Sequence, residues 1–333
     1  MSAEPPRDLP TLPSRPGAPD GASGGPVLPV GLRLLLYYLL VVVVLDVGTV
    51  ALAAALGIDL GLGAKEAPKV LRLGPFLALQ ALLVLPLAWI TRRFLRRVDP
   101  RPLEVFGLTL PVGGRTAARR QALLCLAGPA LILGLWVALG RAFAELSWVG
   151  FSPELRSGPV WAPGPLGSLV VLVLYLGGFV VSSAIEEWLF RGYLYAGLRE
   201  RLSWVNTAGV CSVLSVSVFA GSPEVRVPAL VNAFLLGLAL GALREATGSL
   251  WASTLFQALW NFLLACVLSL PVSGFSAFRM LELSIGGDAR LTGGDYGPEG
   301  GWLITGPIVV LVFLLAARAG DGKPEPAAEP REP

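Results

Sequence analysis

Eight stretches of nearly unbroken apolar side chains, at 34–56, 73–90, 121–140, 167–187, 204–220, 229–243, 250–270 and 302–317, set the terms on which this chain can fold. Most approach the ~20 residues that a bilayer's hydrocarbon core requires of a helix. No water is present there to satisfy a backbone N–H or C=O, so segments of this length cross as helices. The expected fold class is all-α, a polytopic transmembrane helix bundle of about eight membrane segments. The stretches 204–220 and 229–243 are short for a full crossing. Composition points the same way: of the 333 residues 54% are apolar and 15% charged, with a mean hydropathy of +0.68. Soluble domains carry ~25% charged residues, because water must solvate their surfaces.

The ends read differently. Residues 1–29 are rich in proline, glycine and alanine, and 320–333 in proline and glutamate, so both are expected to be disordered tails. The first apolar stretch starts only after Arg33, which argues against a signal peptide. The linker 91–120 holds Arg92, Arg93, Arg96, Arg97, Arg101, Arg115, Arg119 and Arg120 against Asp99 and Glu104. The positive-inside rule places this linker in the cytoplasm. Counting from it sets both termini in the cytoplasm and the loops 57–72, 141–166 and 271–301 outside. Contact of 91–97 with anionic headgroups is one use of these arginines, and a topology signal is the plainer one. The net charge of +3 is spread along loops, which points to the lipid bilayer and not to nucleic acid as a partner.

The sequence has no histidine. That removes an imidazole base, a Ser-His-Asp relay and a histidine-rich zinc site. Cys125, Cys211 and Cys266 each lie inside an apolar run and read as small packing residues, not as disulfides or metal ligands.

A charge in mid-membrane costs ~2.5–3.5 kcal/mol on insertion scales, so each one needs a reason. At the close of the fourth stretch, Glu187 and Arg191 stand four apart with the acid first, the favourable order for an ion pair. Glu186 has Phe190 at the matching position and only Ser182 and Ser183 a turn earlier. An unpaired carboxylate beside a paired one is suited to act as general base for water. The two glutamates equally fit a marker of the helix's cytoplasmic end, where charge costs little, with Arg199, Glu200 and Arg201 following. Gln257 and Asn261, four apart in the seventh stretch, either donate to a developing oxyanion or, more commonly, bond between helices. Asn232 and Asp46 are read as interhelical hydrogen bonding, and Gly237 with Gly241 as a close helix contact.

The run Glu186-Glu187-Trp188-Leu189-Phe190-Arg191-Gly192 resembles the EExxxR motif of the CAAX protease and bacteriocin-processing family of intramembrane endopeptidases. The stretch from Gly237 through Thr247-Gly248-Ser249-Leu250-Trp251 to Asn261 resembles that family's closing segment. The resemblance covers 167–270 as the core, flanked by N-terminal transmembrane helices over 30–140 and a last one at 302–317. It implies an all-α bundle with a polar cavity, in a bacterial plasma membrane, and hydrolysis of a peptide bond near the membrane. By the resemblance, Glu186 matches the base, Glu187 and Arg191 the supporting pair, and Asn261 an oxyanion donor. The family's two histidine positions fall on Pro223 and Gln257.

General acid–base help is worth ~10²–10⁴-fold, and neither replacement titrates. The expectation is therefore a catalytically impaired pseudoprotease that binds a membrane-embedded or lipidated peptide or protein. One alternative is an active endopeptidase with Glu186 as base and Gln257 plus Asn261 as the oxyanion hole. A non-catalytic transporter or scaffold is another. No cofactor is expected, and without histidine no family-type metal site is supported. Counting along the helices puts Glu186 at the cytoplasmic edge, Gln257 a few turns from it, and Pro223 at the opposite edge if 204–220 crosses fully.

Overall fold

The computed structural model describes residues 28–57, 71–101, 103–108, 114–219 and 225–320. Most of both expected tails, and Pro223, lie outside these residues. All eight apolar stretches fall on helices: α1 Val30–Leu56, α2 Leu73–Arg97, α3 Gly114–Phe143, α4 Pro165–Leu198, α5 Trp204–Phe219, α6 Val227–Thr247, α7 Leu250–Val267 and α8 Thr305–Gly320. Seven of the described helical spans are long and apolar enough to cross a membrane, the last being Trp302–Ala319, which adds the turn before α8, and α5 is the short one. The protein is an all-α polytopic bundle and an integral membrane protein.

Two helices run past the ends of their apolar stretches. α2 continues through Arg92, Arg93, Arg96 and Arg97, all exposed. An arginine's long apolar stem lines a membrane helix while its guanidinium reaches the interface, so apolarity alone ends the helix too early. α4 continues past Glu187 into a π-helical turn, Trp188–Leu194, and ends at Leu198. Glu186 and Glu187 therefore lie inside the helix and not at its end. Arg191, one turn on, matches the charge of Glu187 within the bundle.

α7 packs against α3, α4 and α6, while α6 also packs on α5 and α8. Their shared core includes Trp136, Leu243, Phe256, Trp260 and Leu264. A second core joins α1, the end of α2 and the π turn of α4 around the rings of Tyr37, Phe94, Phe106 and Tyr193. The two cores meet on α4.

The loops add four short strands, β1 Leu71–Arg72, β2 Glu145–Phe151, β3 Phe275–Ser276 and β4 Leu281–Gly286. β2 and β4 form an antiparallel ribbon from Glu145↔Gly286 to Phe151↔Leu281, with a bulge between Trp148 and Gly150. β1 pairs with β3 in parallel. These pairings join the segments before α2, after α3 and after α7 at one end of the bundle. At the Arg-rich end, Asp99 is buried and accepts from Arg33 of α1, from Arg101 Nε at 2.8 Å and from Tyr193 Oη at 2.7 Å. Arg101 also pairs with Glu200, beyond α4, at 2.5 Å.

Candidate active site

The site grows from the π turn of α4. Insertion of a wider turn into an α-helix re-aims side chains and frees backbone groups, and such turns recur at functional sites. Here it sets Arg191 Nη1 2.9 Å from Glu187 Oε1, with both side chains almost fully buried. Arg191 Nη2 also donates to the Gly237 carbonyl of α6 at 3.2 Å, and Arg244 Nε of α6 donates to the Arg191 carbonyl at 3.3 Å. A Cβ at Gly237 would lie 2.7 Å from Ser212 Oγ and 3.1 Å from Arg191 Nη2. One at Gly241 would lie 2.7 Å from the Cβ of Ala208. The two glycines thus let α6 approach both α5 and the buried arginine.

Glu186, half-buried on the adjoining face, meets α7: Gln257 Nε2 donates to Glu186 Oε2 at 2.5 Å. The separation of a few turns expected from counting is corrected, since the two side chains touch. α4 runs on past Glu186 to Leu198, so Glu186 is an interior residue of that helix where it meets α7. The amide oxygen, Gln257 Oε1, is buried with no hydrogen-bond partner among the described residues. Asn261 follows one turn along α7, half-buried, with no side-chain hydrogen bond to this cluster among the described residues. The structure thus brings together Glu186 with Gln257 and Glu187 with Arg191.

A third carboxylate, half-buried, comes from the loop before α8 and reaches α7 three residues from Gln257. Glu299, in the loop before α8, accepts from Trp260 Nε1 at 2.7 Å and from the N–H and side chain of Ser273. Burial raises the Glu299 carboxyl above the ordinary carboxylate range, and the Trp260 and Ser273 donors oppose that rise. Ser273 sits at φ 50°, in the left-handed region that side chains with a Cβ seldom adopt. Asn232 pins the loop: its Nδ2 donates to the carbonyls of Glu299 at 2.8 Å and Gly301 at 2.9 Å, and Thr305 Oγ1 donates to its Oδ1 at 2.7 Å. Asn232 therefore bonds α6 to α8 and its preceding loop. Asp46, expected to act likewise, is exposed on α1 with no hydrogen bond among the described residues.

Sequence reasoning missed Glu299 because it lies in a glycine-rich loop with no periodicity. Gln257 and Trp260 are three apart on α7, however, and each donates to one carboxylate. That spacing was the available signal.

Cys125, Cys211 and Cys266 are buried thiols, and Cys125 Sγ donates to the Ala252 carbonyl at 3.3 Å. The side chains at the motif do not suit a metal ion. Glu187 is taken by a guanidinium, and Gln257 turns its donor nitrogen toward Glu186. No group of three or more His, Cys, Asp or Glu able to hold one occurs among the described residues.

Residues 168–263 match the family model described as type II CAAX prenyl endopeptidase Rce1-like. That segment, which is similar to the CAAX protease family, contains Glu186, Glu187, Arg191, Gln257 and Asn261. α1 to α3, the Glu299 loop and α8 lie outside it. No curated protein matches the chain.

Proposed function

We propose that the protein is a pseudoprotease that keeps its family's cavity-forming helices and uses them to hold a membrane-embedded or lipidated peptide. The observation that supports this is the Gln257 Nε2 to Glu186 Oε2 bond at 2.5 Å. A carboxamide donates a hydrogen bond but does not accept a proton at neutral pH, so the carboxylate has no titratable imidazole to share the work of activating water. By this reading the Arg-rich end faces the cytoplasm of a bacterial cell, with both termini on that side. The test is cleavage of farnesylated and unmodified peptides by the protein in liposomes, wild type against Glu186→Gln. Equal, background turnover with retained peptide binding is expected, and turnover abolished by Glu186→Gln overturns the proposal. Reporter fusions at the two termini check the orientation.

A second reading, an active glutamate-dependent endopeptidase, is favoured by Glu299. In it Glu186 takes a proton from water as the oxygen attacks the carbonyl carbon, and Gln257 and Asn261 donate to the oxyanion. Glu299 then gives a proton to the amine nitrogen as the C–N bond breaks. Cleavage lost in both Glu186→Gln and Glu299→Gln selects this reading.

A further inference from the structure

α1 is the most apolar of the described spans, and most of it faces away from the bundle. Its inward side holds Arg33, Leu34, Tyr37, Val41, Thr49 and Ala53, all buried. Its outward side carries Leu39, Val43, Val47 and Val50, all exposed, and Asp46 stands within that stripe. Steps of three and four residues set these side chains on one face of the helix. Asp46 is exposed as well, with no hydrogen bond or ion pair among the described residues.

The position is deep. α1 holds 27 residues, and a bilayer's hydrocarbon core takes about 20 of them. Every run of that length within Val30–Leu56 includes Asp46. The nearer end of the helix, Leu56, is roughly 15 Å away at 1.5 Å per residue. A carboxylate held there against hydrocarbon is costly unless a partner neutralises it. Glu187 has such a partner in Arg191, and the described part of the chain offers none to Asp46. A second copy would not supply one either. The exposed arginines of the described spanning helices stand near helix ends: those closing α2, Arg119 and Arg141 at the two ends of α3, and Arg318 near the end of α8. Two copies joined through this face by a two-fold axis would instead bring like charges together.

We propose that the outer face of α1 docks a transmembrane helix of another protein, one that carries a lysine or arginine near its middle to meet Asp46. Charge selects the partner, and the valines favour a helix as its form. Valine keeps essentially one side-chain rotamer in a helix, so packing a second helix on Val43, Val47 and Val50 costs little conformational entropy. The contact between Glu186 and Gln257 lies on α4 and α7, so the proposal stands whether or not the protein cleaves peptides.

The test uses the full-length protein in phosphatidylcholine vesicles with a synthetic polyleucine helix of about 20 residues bearing one central lysine. Fluorescence energy transfer between labels on the two reads the docking. Transfer that saturates with peptide and exceeds that of the all-leucine peptide is expected. Asp46→Asn should weaken the docking about tenfold, and Asp46→Lys should move the preference to a peptide with a central aspartate. Matched melting temperatures for both variants exclude misfolding as the cause. Equal transfer for the lysine and all-leucine peptides, docking unchanged in Asp46→Asn, or no change of preference in Asp46→Lys overturns the proposal. So does docking lost in Glu186→Gln with Asp46 intact, which would place the peptide at the paired-glutamate site. Asp46-dependent cross-linking between copies without peptide would give the face to a second copy, and overturns it as well.

Discussion

α1 and α7 are both apolar helices of spanning length, yet 17% of the most apolar stretch of α1 is buried within the protein against 56% of that of α7. α1 is also the more apolar of the two. In water the most apolar helix would be the most buried one. In a bilayer the solvent is itself apolar, so hydropathy reports contact with lipid, and polar side chains collect on the helix that protein surrounds. Gln257, Trp260 and Asn261 all lie on α7. On α1 the tyrosine that turns inward, Tyr37, is fully buried, while Leu35, Leu36 and Leu39 point out.

That contrast can be broken where burial is greatest. Glu187→Ala leaves Arg191 buried and unpaired, and should lower unfolding free energy in detergent by about 3–5 kcal/mol. Glu187→Gln combined with Arg191→Met should recover most of it, since a well-packed apolar replacement avoids the desolvation of both ions. Leu264→Ala, on fully buried α7 surface, should cost about 2–5 kcal/mol by the lost contacts and the cavity it leaves. Denaturant unfolding measures both.

Glu299 extends the contrast to pH. Its carboxyl holds a proton more firmly when folded than when unfolded. Its contribution to stability is complete below the unfolded value of ~4.3. As the pH rises past that value the unfolded chain ionises first, and the contribution falls away until the folded carboxyl has ionised as well. Glu299→Gln should flatten this decline in melting temperature with rising pH. The smallest effect belongs to the lipid-facing side: Leu35→Ala on α1, a position 52% exposed, should change stability by no more than about 0.5 kcal/mol. A larger loss there would mean that α1 has a protein partner on its outer face.

Much of this was legible in the residues. Each of the eight apolar runs became a helix, because no other secondary structure of that length satisfies its backbone in lipid. The order of the two motifs set Glu186 and Gln257 within one resemblance, and the two side chains touch. The course of α4 through Glu187 was not legible, since a window of hydropathy stops at a charge and takes no account of a counter-charge one turn on. The pairing of Glu145–Phe151 with Leu281–Gly286 was likewise hidden, because register between distant short strands is set by where the helices deliver them.

By itself the sequence determined that this chain lives in a membrane, which stretches form its helices, and which acids and amides stand on which helix, because these follow from local spacing and from the solvent. Only the tertiary structure decided that Glu186 meets Gln257, that Arg191 is buried against Glu187 and Gly237, and that Glu299 arrives from a loop beyond the family segment. Those contacts depend on how the helices pack. Packing turns on small approaches, such as the glycine face of α6, that no single segment encodes.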